Sequence, residues 1–310
     1  MAVRRRSGFV GRGARNLSTF QLFNLSIFQL FNLSTFQLLN ILQKHAYDIG
    51  AGLAACVWPL MPKRRRIAVE NVLKCGITAD EKEARRIAKK SFCHLAGHIG
   101  EALFVPYVVT KENWREHLDF SAADPEAVKL LLDAPDTPII LVSSHHGVWE
   151  AATNVLSFAR PMIAIARVMN NKLVAKWMEK HHFRGPVTVI DKKNGFTPDI
   201  MRQWTDTKAA MTILMDQHTS GGAMLKFFGR PAKTFTSATR LAMRTGYPIV
   251  VGSFVRIAPF KYRLVGGSPV RFSKADDKLA ATQLLNDRLE DAIRQYPEQY
   301  LWAHRRWRND

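Results

Sequence analysis

From Pro138 onward the chain alternates short apolar, β-prone runs with helical stretches, and this alternation restricts the fold more than any other feature. The run Ile139-Ile-Leu-Val-Ser-Ser144 is continuous and apolar, which suits a strand covered on both faces of a sheet. Further runs follow at 162–166, 187–190, 210–215 and 249–255, with helical stretches between them at 149–158, 171–182, 197–207 and 236–246. Strands and helices in alternation predict an α/β fold with a largely parallel central sheet flanked by helices. No linker rich in Pro, Gly or Ser interrupts 120–310, so one domain over 63–310 is expected.

The N-terminus is of another kind. Asn16-Leu-Ser-Thr-Phe-Gln-Leu-Phe23 recurs at 24–31 and 32–39, a period of eight residues. Eight residues advance a helix by about 800°, so the Phe and Leu positions spread round it instead of forming one stripe. Residues 1–44 therefore read as a low-complexity leader. Two readings stand: a membrane-seeking helix, or translated repeat DNA ahead of the true start, which the near-identical copies favour. Ala46 to Met61 is mostly apolar but contains Asp48, and Lys63, Arg64, Arg65 and Arg66 follow at once. Such a stretch falls short of the roughly 20 residues that span a bilayer. An N-terminal hydrophobic helical membrane anchor over 45–62 is expected, lying at the interface, with the basic quartet among anionic headgroups on the cytoplasmic face of the inner membrane.

Residues 64–105 read as two helices, the second opened by Asp80-Glu-Lys-Glu with acids in its first turn. His94 and His98 stand four apart, but no third ligand is placed to complete a metal site. Glu101 reads by default as a helix-surface carboxylate. Cys56, Cys75 and Cys93 have neither metal-ligand nor disulfide spacing and read as apolar fillers. Neither a metal nor a cofactor is expected.

Net charge is +19 and points to an anionic partner. Six of the positive charges lie in the leader, and without it the excess is still about +13. Together with the Trp and Arg residues of the tail, Trp302 to Arg308, this charge would also suit a nucleic-acid-binding module. Membrane proximity accounts for the charge without nucleic acid, and none is expected as partner.

In sheets of this kind ligands bind where the chain leaves the carboxyl ends of strands. The run 139–144 delivers His145-His-Gly-Val-Trp-Glu150 to such an end. Transfer of an acyl group to an alcohol needs a base for the hydroxyl proton, and histidine titrates in a suitable range. A carboxylate on its other ring nitrogen would hold the tautomer and stabilise the imidazolium. His145 and Glu150 are the candidate pair, His146 is a competing base, and Ser143 and Ser144 lack the elbow motif of serine hydrolases. Arg167, just past the run 162–166, suits a phosphate or an oxyanion. Asp216 and Gln217 end the run 210–215 and suit positioning of the acceptor or of the loop 218–230. Phe228 and Arg230 suit the mouth of an acyl groove, although core packing explains the phenylalanines equally well. Thr234, Thr236 and Ser237 read as an ordinary helix-capping region.

Four stretches carry a family resemblance: Val69-Glu-Asn-Val-Leu73; His145-x-Gly-x-Trp-Glu150; Met215-Asp-Gln217 followed by Lys226-Phe-Phe-Gly-Arg-Pro-Ala-Lys-Thr234; and Pro297-Glu-Gln-Tyr-Leu-Trp-Ala-His-Arg-Arg-Trp307. In these the chain resembles the lipid A biosynthesis acyltransferases, the lauroyl- and myristoyl-type enzymes of the glycerolphosphate acyltransferase superfamily. The likeness covers about 45–308 and leaves the repeat outside. It implies that His145 and Glu150 move a fatty acyl chain from an acyl carrier protein (or acyl-CoA) thioester to a hydroxyl of a lipid A precursor. Val148 stands where that family usually has Asn, which leaves acceptor choice open. A lysophospholipid, an aminolipid or a glycolipid would use the same pair.

Overall fold

The computed structural model describes residues 19–134, 136–166, 185–191 and 195–307, with side chains from residue 37 onward, Leu39 and Ala166 excepted. Contacts divide the chain into two units, Met1–Lys44 and His45–Asp310. In the first, the described part is the helix α1 (Thr19–Val57), which continues into the second. Among the described residues no helix is long and apolar enough to cross a membrane.

The second unit begins with helices. α2 (Pro62–Lys74) and α3 (Glu81–Ala102) run where the sequence predicts them, and the Asp80 carboxylate caps α3 by accepting from the Lys82 N–H at 2.9 Å. The part of α1 after Lys44 lies tight against α3. A side chain at Gly50 would press on the Ala96 carbonyl, so the two backbones meet where Gly50 has none. Two single-turn helices, α4 (Val105–Val108) and α5 (Pro125–Val128), flank the short strand β1 (Leu118–Asp119).

The sheet follows: β2 (Ile139–Ser143), β3 (Met162–Ala166), β4 (Val187–Asp191), β5 (Ala210–Leu214), β8 (Ile249–Ala258) and β9 (Lys261–Gly266) join β1 in the order β1-β9-β8-β2-β5-β3-β4. Every pairing is parallel except β8 with β9, which form an antiparallel hairpin at one side. The largely parallel sheet predicted from the alternation is therefore present. The side chains of β2 point alternately to two cores. Ile140 and Val142 join a cluster with α2, α3 and the helices α8 (Ser237–Thr245) and α9 (Lys278–Gln295). Ile139 and Leu141 join the other, with α6 (Trp149–Leu156), Trp114 and Leu131. Both faces are covered, which is why β2 carries no polar alternation. The helix predicted at 197–207 is α7 (Pro198–Thr207), while that predicted at 171–182 lies outside the described residues.

Three expectations are corrected by packing. The stretch 218–230, read as a loop, contains β6 (Ala223–Phe227), which pairs antiparallel with β7 (Arg230–Thr234) around a turn in which Phe228 and Gly229 both have positive φ, 53° and 71°. Glu101, read as a surface carboxylate, is buried: Arg256 Nε donates to it at 2.9 Å and the Tyr262 hydroxyl at 3.0 Å. Of the three cysteines Cys75 is buried and Cys56 is exposed; all are free.

Candidate active site

β2 lies between β5 and β8, and the chain leaves it in one direction and returns on both sides, so the crevice beyond its carboxyl end is the expected ligand position. The register decides what meets there. Ser143 stands opposite Leu214, and the Met215 N–H extends the ladder by donating to the Ser143 carbonyl at 3.0 Å. Two residues further along each strand, His145 therefore faces Asp216. His145 Nδ1 is 2.9 Å from Asp216 Oδ1, and His145 Nε2 is 3.1 Å from the Gln217 side-chain amide. With a carboxylate on one ring nitrogen, Nδ1 carries the proton and donates it, and Nε2 is left with its lone pair, accepting from the Gln217 amide.

Asp216 is 3% exposed and His145 19%. Burial pushes the Asp216 carboxyl up, but His145, its hydrogen bonds and the Arg306 guanidinium outweigh this and hold it below its usual value. The Tyr300 hydroxyl is bonded to the same carboxylate, and burial followed by that negative charge keeps the phenol protonated far above its ordinary range.

The turn carrying His145 is held by four hydrogen bonds from three segments. The Gly147 N–H donates to the Gln299 carbonyl at 3.0 Å, the Val148 N–H to the Phe254 carbonyl at 2.7 Å, and the Leu301 N–H to the His145 carbonyl at 3.0 Å. His94 Nε2 donates to the Gly147 carbonyl at 3.0 Å, and its Nδ1 accepts from the Tyr47 hydroxyl at 2.9 Å. Burial, reinforced by His98, drives the His94 value down to about 3, so the ring is neutral and ties α1 and α3 to the turn. Gly147 has φ 70°, and a Cβ there would collide with the Phe254 carbonyl oxygen; no other residue fits. Val148, where the resembled family has Asn, is fully buried in the second core.

The competing base is badly placed. His146 is fully buried with Nε2 donating to the Tyr296 carbonyl at 3.0 Å, and burial lowers it to about 4. Ser143 and Ser144 are also buried, and Ser144 Oγ lies 3.4 Å from Ser253 Oγ.

Glu150 is half-buried in the first turn of α6, five residues after His145. The carboxylate that meets His145 Nδ1 is nevertheless Asp216, which the sequence alone suited to positioning the acceptor or the loop 218–230. Arg167 lies outside the described residues. Phe228 and Arg230 stand on the separate β6–β7 hairpin. Phe228 is 5% exposed and packs on Trp302, with ring centroids 5.7 Å apart. Arg230 lies 4.3 Å over the Trp307 ring and lines a concavity of about 430 Å³ with Lys74 and Arg305. A neighbouring one of about 370 Å³ shares Arg305 and adds Lys63 and Arg64; His145 lines neither.

Sequence reasoning missed the depth of the C-terminal tail. Its indoles and cations suited contact with an anionic partner, yet Trp302 and Arg306 are 0% and 1% exposed and Trp307 is 9%. The signal available was composition alone, which is the same for a headgroup belt and for a buried plug. Among the described residues no group of three or more His, Cys, Asp or Glu could hold a metal ion. His94 has both ring nitrogens engaged with Tyr47 and Gly147.

Compared with known families, residues 23–309 match the bacterial lipid A biosynthesis acyltransferases. The match begins inside the octad repeat, which the four motifs had left outside. Similar proteins include a lipid A biosynthesis palmitoleoyltransferase of Escherichia coli (strain K12) and a lipid A biosynthesis acyltransferase of Shigella flexneri, each 23% identical over 84% of both chains. A lipid A biosynthesis lauroyltransferase of Escherichia coli (strain K12) is 22% identical over 84% of this chain and 85% of its own.

Proposed function

Because the chain belongs to the bacterial lipid A biosynthesis acyltransferase family, we propose that it moves a fatty acyl chain from an acyl carrier protein thioester to a hydroxyl of a lipid A precursor, with His145 as the general base. The observation that carries the mechanism is the imidazole oriented by Asp216 at Nδ1 with its Nε2 lone pair turned to a polar amide. The acceptor hydroxyl takes the place of the Gln217 amide at Nε2 and gives up its proton there as its oxygen attacks the thioester carbonyl. The carbon–sulfur bond then breaks, and the departing sulfur takes the proton back from Nε2. A displaced Gln217 amide is a donor for the oxyanion, and Arg167 is proposed to serve the oxyanion or a phosphate. Since Nδ1 is occupied, the share proposed for Glu150 is positioning of the acceptor and not of the ring.

The anionic partners and the inner-membrane site are proposed on surface chemistry. Ile49, Leu53, Val57 and Leu60 are 45%, 66%, 44% and 77% exposed, and Lys63 to Arg66 follow them directly. Apolar side chains backed by cations suit a helix lying in the cytoplasmic face of an anionic bilayer. The basic concavities along α2 and the tail suit the acidic surface of a carrier protein or a phosphorylated headgroup, and Arg230 is proposed to hold such a group.

Mass spectrometry of lipids from a strain lacking the gene tests the assignment, with His145→Ala and Glu150→Ala returned to that strain. Loss of one acyl chain from lipid A, restored by the wild-type chain and by neither variant, is expected. Unchanged lipid A would overturn the acceptor, and full activity of His145→Ala would overturn the base.

A further inference from the structure

We propose that Arg306 is a positioning residue that keeps His145 free to act as a base, by serving as the counterion of Asp216 in its place; the inference rests on the reading of His145 as the base. Arg306 is 1% exposed and so does not reach substrate. Its Nη1 donates to the Gln217 carbonyl at 2.9 Å and to the Lys233 carbonyl, and its Nη2 donates to Thr234 Oγ1 at 2.6 Å. Thr234 Oγ1 is joined in turn by Asn286 Nδ2 of α9 at 3.4 Å. The guanidinium therefore clamps the residue next to Asp216 from the tail, β7 and α9.

Charge makes the clamp more than structural. Asp216 is nine-tenths and more buried, and among the described residues the titratable groups facing it are His145 and His146 from the turn after β2 and Tyr300 and Arg306 from the tail. Burial leaves His146 neutral and Tyr300 protonated and uncharged. Only two of the four can then neutralise the carboxylate: Arg306, permanently, or His145, by taking a proton. A buried carboxylate without a counterion is costly, so removing Arg306 transfers that role to His145. The imidazolium so formed has no lone pair at Nε2 for the acceptor hydroxyl. With Arg306 present, the buried Asp216 carboxylate has a counterion other than His145.

The test is the pH profile of kcat/KM for acyl transfer from an acyl carrier protein thioester to a lipid A precursor in detergent micelles, measured for the wild-type chain, Arg306→Gln and Arg306→Lys. For Arg306→Gln the acid limb is expected to move upward by about one pH unit, with activity lost by up to about tenfold on the acid side of the limb and regained at higher pH. Arg306→Lys keeps the charge and loses the fork, so its limb is expected at the wild-type position with a lower kcat. A loss in Arg306→Gln by one factor at every pH, or none, would overturn the inference. Should Arg306→Gln not fold, the lysine chain decides alone, and an upward-moved limb there overturns it. His145→Ala separates the premises: an active variant retaining the wild-type limb defeats the base reading, whereas an inactive one beside an unmoved Arg306→Gln limb defeats only the role of Arg306.

Discussion

Replacing Asp216 by Asn changes one atom and tests the site most directly. The wild-type carboxylate accepts from Nδ1 at 2.9 Å, which leaves the Nε2 lone pair for the hydroxyl proton. An asparagine amide can donate to Nδ1 and so stabilise the wrong tautomer, with the proton on Nε2. It also removes the negative charge that the imidazolium meets as it forms. Losing both the correct tautomer and that charge should lower kcat by roughly 10⁴ while KM changes little, as when the orienting carboxylate of a triad is replaced by its amide. Asp216 also answers Tyr300 and Arg306, so the variant will unfold at a lower temperature. The assay therefore pairs steady-state acyl transfer with thermal unfolding, and rates are compared where both chains are folded. A folded Asp216→Asn chain within tenfold of wild type would refute the assignment of Asp216 as the orienting carboxylate, and the same measurement on Glu150→Gln would then be the informative one.

Gly147→Ala should abolish activity and lower stability by more than 2 kcal/mol, about the cost of a positive-φ alanine together with a displaced backbone, read by urea unfolding; a stable, active variant would contradict the geometry of the turn. Glu101→Gln leaves the partly exposed Arg256 without its counterion and should destabilise by about 1–3 kcal/mol, checked by the same method. Asp119 is held at about 2 by hydrogen bonds from Ser121 and then Arg263, against 3.8 unperturbed. A depressed carboxylate adds stability that is complete above its unfolded value and is lost as pH falls through the folded one. Asp119→Asn should accordingly narrow the difference in melting temperature between pH 6 and pH 2; an unchanged difference would show that the bonds from Ser121 and Arg263 contribute nothing to it.

The strand runs, the acid-led opening of α3 and the position of His145 at a strand end were legible in the sequence, because each rests on local chemistry: apolar continuity, acids in a first helical turn, a glycine where the chain turns. The family resemblance was legible for a related reason, since its motifs gather around those same strand ends. What stayed hidden involves residues far apart along the chain. The sequence separation of His145 and Glu150 suggested a pair, but the carboxylate on Nδ1 comes from 71 residues away, brought there by the register of β2 against β5. Glu101 looked like a surface acid until Arg256 and Tyr262, from the other end of the domain, closed over it. Arg306 lies in a stretch whose composition suits a membrane interface, and only the fold turns it inward to Gln217 and Asp216. Local propensity determined the elements and put the imidazole at an open edge. Strand order and register, which arise when distant surfaces bury one another, decided which charges surround it.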